Sequence, residues 1–178
     1  RAEDPGALIF LLHRDSEKNL DHRAAQKKSF ELPGTVLGSD GMPWQHRSGE
    51  LVAGDAWPLP ESAWAHPRSQ ATFTLFLERW VQEWGEFELM DAFRLGSYNT
   101  ARALEEDVPA MRRKGRIEVG ADADLLVFDP AKIRVKATLQ NPLAHSEGMR
   151  FVLVNGVPVI DEGAVSYTHL RAHETRPY

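Results

Sequence analysis

Cysteine is absent from the 178-residue chain, so neither a disulfide nor a thiolate metal ligand can come from it. Excess positive charge is absent as well. The formal net charge is -5, and a chain without a basic surface offers no footprint for nucleic acid. No apolar run approaches the roughly 18 residues of a membrane span. The longest early run, Ala7-Leu8-Ile9-Phe10-Leu11-Leu12, has the length of a buried strand. It has no basic lead and no small-residue cleavage pattern, so it does not read as a secretory leader. The expected compartment is the default one, the cytoplasm, with no membrane partner. What is present is an ordinary globular composition, 42% hydrophobic and 26% charged, enough for one substantial domain or one and a half.

Residues 7–12 and the run Val36-Leu37-Gly38 read as buried strands, separated by a polar helical stretch from Asp15 to Lys28. A helix-length connection between two apolar strands predicts a parallel βα arrangement rather than a hairpin. Residues 41–71 contain Pro43, Pro58, Pro60 and Pro67 together with Trp44, Trp57 and Trp64. They predict a long loop whose aromatic surface packs on something. Phe73, Phe76, Leu77, Trp80 and Trp84 recur at helical spacing and predict one core-facing stripe over 72–84. A second helix is expected over 88–97, and a third over 100–105 with Asn99 as its cap.

From Lys114 the pattern turns to strands. Ile117 and Val119 alternate with polar residues, Leu125–Phe128 stops at Asp129-Pro130, and residues 151–154 and 157–160 flank Asn155-Gly156. That dipeptide predicts a type I′ hairpin, which needs positive φ at both positions. Pro158 cannot donate to a ladder and predicts an edge strand. Residues 166–178 have no hydrophobic period and are expected to be disordered or non-native. His169 and His173 stand there at i, i+4, but without the glutamate or third ligand of a zinc-binding helix.

The chemistry turns on residues 36–41. An apolar run closes on Gly38 and then presents Ser39, Asp40 and Gly41. By itself Ser-Asp-Gly is ordinary turn chemistry. Three segments give it a different meaning. KGRIEVGADADLLVFDP (114–130) resembles the signature of metal-dependent amidohydrolases, in which a Gly-Ala-Asp turn and an Ala-Asp-Leu strand help build a small β-sandwich. VLVNGVPVIDEG (152–163) resembles the hairpin that ends the same sandwich. VLGSDGMPW followed by HPRSQATFTLFLERWVQE (66–83) is similar to the N-acyl-D-amino-acid deacylase (D-aminoacylase) branch.

This resemblance covers about residues 7 to 163. It implies an α/β fold: the C-terminal part of a (β/α)8 barrel over 1–110, part of a small β-sandwich over 111–165, and a tail over 166–178. Active sites of such barrels lie at the C-terminal ends of the strands, so Asp40 would stand at the mouth of the last one. There it would ligate zinc and act as the catalytic proton carrier. The resemblance further implies a small-molecule N-acyl amino acid as substrate, with His66 and Arg68 in a loop over the mouth. Arg68 would grip the substrate carboxylate, or else pair with a local acid while His66 packs in its loop. His13, at the end of the first strand, reads as structural. Asp122, Asp124 and Asp129 read as turn and strand-end residues.

The His-x-His pair, further histidines and cysteine that supply the family's metal are missing, and His22 and His46 fit no such pattern. The chain is therefore expected to be part of a longer enzyme and inactive alone. The alternatives are a cyclic-amide hydrolase of the hydantoinase or dihydroorotase kind, and a non-catalytic barrel-end and sandwich module.

Overall fold

Polar residues on every side make the first helix, α1 (Leu20–Phe30), which buries none of its residues. Asp21 in its first turn and Lys27 and Lys28 in its last complement the helix dipole. Gly34, at φ 77°, carries the chain out of the helix, and the Thr35 hydroxyl donates to the Ser29 carbonyl at 3.1 Å. This helix belongs to the first of two units, residues 1–35 and 36–178. The computed structural model describes residues 20–53 and 59–166. The strand expected at 7–12, His13, Trp57, and the tail from residue 167 with His169 and His173 lie outside the described residues.

In the second unit an antiparallel ribbon of β1 (Gln45–His46) and β2 (Ala63–Trp64) leads to α2 (Arg68–Phe76). That helix starts directly after Pro67, a residue suited to a helix entry because it has no N–H to satisfy. It runs on into a π-helical stretch, Leu77–Glu83, where the Trp84 N–H donates to the carbonyl of Arg79, five residues back. Phe76, Leu77 and Trp80 are buried as the stripe predicted. Rings of Phe76 and Trp80 lie 6.0 Å apart, and Phe87 packs 5.5 Å from Phe76. The wider π turn rotates the stripe, leaving Trp84 half-buried. Phe73, 48% exposed, lies at a cleft rather than in the core.

The next helix, α3 (Leu89–Phe93), also widens into a π-helical turn, Arg94–Tyr98, and passes without a break into α4 (Asn99–Leu104). Tyr98 and Asn99 both have helical dihedrals. The expected cap at Asn99 is therefore corrected: a cap needs an extended residue at a true helix start.

Strands β3 (Leu125–Phe128), β4 (Met149–Val154), β5 (Val157–Asp161) and β6 (Ala164–Val165) form one antiparallel sheet in that order. Asn155 and Gly156 turn the β4–β5 hairpin at φ 50° and 78°, the expected type I′ signature. Phe93 and Phe128 meet edge to face at 5.9 Å, joining α3 to the sheet. Buried Glu78 reaches across to accept the Val135 N–H at 3.1 Å, holding the segment between β3 and β4.

Three strand expectations need correction. Residues 36–38 are not a strand: Val36 is exposed, and the Leu37 N–H is satisfied by the Leu95 carbonyl at 2.8 Å instead of a ladder. Ile117 and Val119 also form no strand; Ile117 is 92% exposed. Alternation marks a face to be covered, and no described segment covers it. Pro158 is not on an edge strand, since β5 lies between β4 and β6. It sits beside a register shift in the β4–β5 ladder, beyond Ile160 and Asp161 that β6 pairs. The described residues contain no parallel strand pair. No described helix is long and apolar enough to cross a membrane.

Candidate functional site

The loop that carries the candidate acid is fixed at both ends. Before it, Leu37 is held by the Leu95 carbonyl; after it, Met42 is held by α2. Asp40 takes φ 46°, in the left-handed region that few residues other than glycine enter and that aspartate tolerates better than most. Backbone strain of this kind gathers at functional sites. The Ser39 hydroxyl accepts the Gly41 N–H at 3.2 Å, closing the turn locally.

The first turn of α2 meets this loop. Arg68 Nη2 lies 3.1 Å from Asp40 Oδ2, with the aspartate side chain 82% exposed. A pair this exposed contributes little to stability, but it sets the two groups side by side. The Ser69 hydroxyl accepts the Met42 N–H at 2.8 Å and donates to the Met42 carbonyl at 3.1 Å. His66 Nδ1 accepts the Arg68 N–H at 3.2 Å, which leaves the neutral ring's proton on Nε2. The structure therefore brings Asp40 and Arg68 together and commits one nitrogen of His66 to the helix start. Ser69 was not anticipated. Its only sequence signal is its place after His-Pro-Arg, and a serine in a first helical turn is commonplace.

Further along α2, Gln70 Nε2 lies 3.0 Å from His145 Nδ1, and the Thr74 and Ser146 hydroxyls are 2.7 Å apart. His46 Nδ1 pairs with the Ser62 hydroxyl at 2.8 Å in the β1–β2 ribbon. An apolar cleft of about 420 Å³ lies between the helices and the sheet, lined in part by Leu37, Phe73, Phe93, Leu125 and Val152. Its polar lining is Thr74, Ser97 and Asp124, of which Thr74 is bonded to Ser146 and Asp124 to Lys114.

Asp122, Asp124 and Asp129 hold local structure together. Asp129 accepts the Ala131 N–H at 3.0 Å in a turn. Lys114 Nζ bridges Asp122 and Asp124 at 3.0 and 2.6 Å, and Asp124 Oδ1 accepts the Asn155 N–H at 2.8 Å. The hydrogen bond to Asp124 is the main reason the Lys114 ammonium is held above its ordinary pKa, against the opposing effect of burial. Burial pushes the Asp124 carboxyl up, but bonds from Lys114 and the Asn155 N–H, with the ammonium's attraction, bring it below its ordinary value.

No three His, Asp or Glu side chains among the described residues are grouped to hold a metal ion. Asp40 is a single carboxylate already facing Arg68, whereas a catalytic zinc takes three protein donors. The described residues do not by themselves fit a zinc centre.

Comparison with known proteins shows the family of the chain. The model of the amidohydrolase family matches residues 47–160. The D-aminoacylase of Alcaligenes xylosoxydans xylosoxydans is 31% identical over 136 residues, 76% of this chain and 23% of the relative. The N-acyl-D-glutamate deacylase of the same organism is 36% identical over 162 residues, 91% of this chain and 27% of the relative. Among solved structures, the N-acyl-D-glutamate deacylase from Bordetella bronchiseptica, complexed with zinc and a phosphonate mimic of the tetrahedral intermediate, superposes with a TM-score of 0.59. It shares 30% identity over 84% of this chain and 26% of that one. The chain thus spans about a quarter of the length of the relatives it matches. Its fold is α/β and related to the (β/α)8 barrel family.

Proposed function

This chain belongs to the amidohydrolase family and is homologous to its D-aminoacylase branch over most of its length, and from that premise we propose that it is the C-terminal part of an enzyme hydrolysing the amide bond of N-acyl-D-amino acids. In this reading residues 1–110 belong to the barrel, 111–165 to the sandwich, and 166–178 to neither. The observation that supports it most is the left-handed Asp40, held by a clasped loop beside Arg68.

The proposed step is proton transfer by Asp40. One carboxylate oxygen takes a proton from the attacking water as the water oxygen bonds to the acyl carbon. The same carboxyl then gives that proton to the amide nitrogen as the C–N bond breaks, releasing acid and amine. Arg68 and His66 are proposed to bind substrate, with the guanidinium turning from Asp40 toward the substrate carboxylate. Zinc is the proposed metal, with Asp40 as one ligand. The described residues do not complete its site.

The test is kinetic, on the complete enzyme containing this segment and one N-acyl-D-amino acid. Asp40→Asn, nearly isosteric, should preserve the fold and lower kcat by about 10²-fold or more, the scale for losing a positioned general base. Arg68→Ala should raise KM more than it lowers kcat. Near-normal kcat in a metal-replete Asp40→Asn enzyme would return Ser-Asp-Gly to plain turn chemistry. Turnover of cyclic amides with none of linear ones would favour a hydantoinase-like activity instead.

A further inference from the structure

We propose that Ser69 is the positioning residue for Asp40, and that its hydroxyl, rather than the Arg68 ion pair, sets where the carboxylate stands. The inference rests on the reading of Asp40 as the proton carrier. Three observations carry it. First, the Ser69 hydroxyl is bound on both sides of one residue, accepting from the Met42 N–H at 2.8 Å and donating to its carbonyl at 3.1 Å. A double contact of this kind fixes the position and the rotation of Met42. Second, a Cβ on Gly41 would come to 3.6 Å from the Ser69 Cα, so the loop lies directly against the helix there. Third, Asp40 sits two residues before Met42 in a left-handed conformation that a free loop would relax.

The Arg68 contact differs in kind. It is a single interaction between long or exposed groups, and it adapts to wherever the carboxylate lies. Both residues stand on α2, which continues into the π-helical stretch that buries Leu77 and Trp80, so the difference lies in the side chains: the Ser69 hydroxyl is one bond from its Cβ, whereas the Arg68 guanidinium ends a long flexible stem. A reacting group displaced by about 1 Å loses about 10²-fold in rate, so a clasp that prevents smaller shifts is worth about 10-fold.

Steady-state kinetics of the complete enzyme test this with Ser69→Ala, Ser69→Thr and Ser69→Val, alongside Asp40→Asn. The Thr and Val side chains have the same shape, so their difference reports the hydroxyl alone. Ser69→Thr should keep kcat within about threefold, while Ser69→Ala and Ser69→Val lose about 10-fold with KM and metal content unchanged. Equal kcat for the Thr and Val variants, with Asp40→Asn inactive, overturns the inference and leaves the role of Asp40 standing. An active Asp40→Asn enzyme overturns both. Amide exchange on the unsubstituted chain needs no variant to fold: the Met42 N–H should be protected, and exchange at the rate of a free loop would remove the clasp.

Discussion

Replacing Lys114 with methionine should loosen the sheet from the chain that enters it. The ammonium lies 2.6 Å from Asp124 and 3.0 Å from Asp122, and Asp124 in turn holds the Asn155 N–H of the β4–β5 turn. Methionine keeps the apolar stem and removes only the charge and its donors. A hydrogen bond to a charged group contributes about 1.5–3 kcal/mol, but these side chains are 15–33% exposed, which draws the value down. Two such contacts, so discounted, give about 2 kcal/mol, close to a 30-fold change in the folding equilibrium.

A double-mutant cycle with Asp124→Asn, read by urea unfolding followed through tryptophan fluorescence, should give a coupling of about 1 kcal/mol. The pH dependence follows from the two shifts. Because the folded lysine pKa is raised, its contribution is complete below the ordinary lysine value, about 10.4, and fades as pH rises through the raised value. Because the folded Asp124 pKa is lowered, its contribution is complete above the ordinary carboxylate value, about 3.9, and is lost as pH falls through the lowered one. The coupling should therefore be flat between about pH 5 and 9. Additivity of the two substitutions within about 0.3 kcal/mol at pH 7 would refute the latch.

Two further outcomes are expected of the chain itself. Gly148 has φ 98°, and a Cβ there would come to 2.5 Å from the Lys132 carbonyl oxygen, so Gly148→Ala should cost about 2 kcal/mol or more in the same unfolding assay; an unchanged midpoint would contradict it. The chain lacking 166–178 should hold zinc only substoichiometrically and hydrolyse no N-acyl amino acid, because Asp40 is one donor where three are needed. One equivalent of zinc by elemental analysis, with amidase activity, would show otherwise.

Features set by neighbouring residues were legible in the sequence. The Asn155-Gly156 turn follows from backbone sterics alone, and the Phe76-Leu77-Trp80 face from helical spacing. Features that depend on a distant partner were not. Val36-Leu37 and Ile117/Val119 carry strand-like patterns, yet a strand exists only where another strand accepts its hydrogen bonds, and Leu37 uses a helix carbonyl instead. The π-helical turns have no sequence spacing of their own, so the ordinary helical period places Trp84 on the buried stripe although the wider turn leaves it half-buried. At the candidate site, Asp40, His66 and Arg68 came from a resemblance, and the structure adds that two of them touch. Ser69 carries no signal of its own, because the residue it holds is 27 positions away in the chain.

The Asn155-Gly156 turn also has a chemical lifetime. An asparagine followed by glycine is prone to lose its side-chain amide, because the next backbone nitrogen can close onto the side-chain carbonyl unhindered by a Cβ. In the folded chain that nitrogen is engaged, with the Gly156 N–H donating to the Ala123 carbonyl at 2.9 Å. Closing the ring would break this bond and swing the turn away from β3. The folded hairpin should therefore age slowly and the unfolded chain quickly, a difference that peptide mapping after parallel incubations in buffer and in urea would read out. Ageing would also feed on itself. An aspartate formed at position 155 places a second negative charge beside the Asp124 carboxylate that holds the same residue's N–H, so each damaged molecule would open more readily than an intact one.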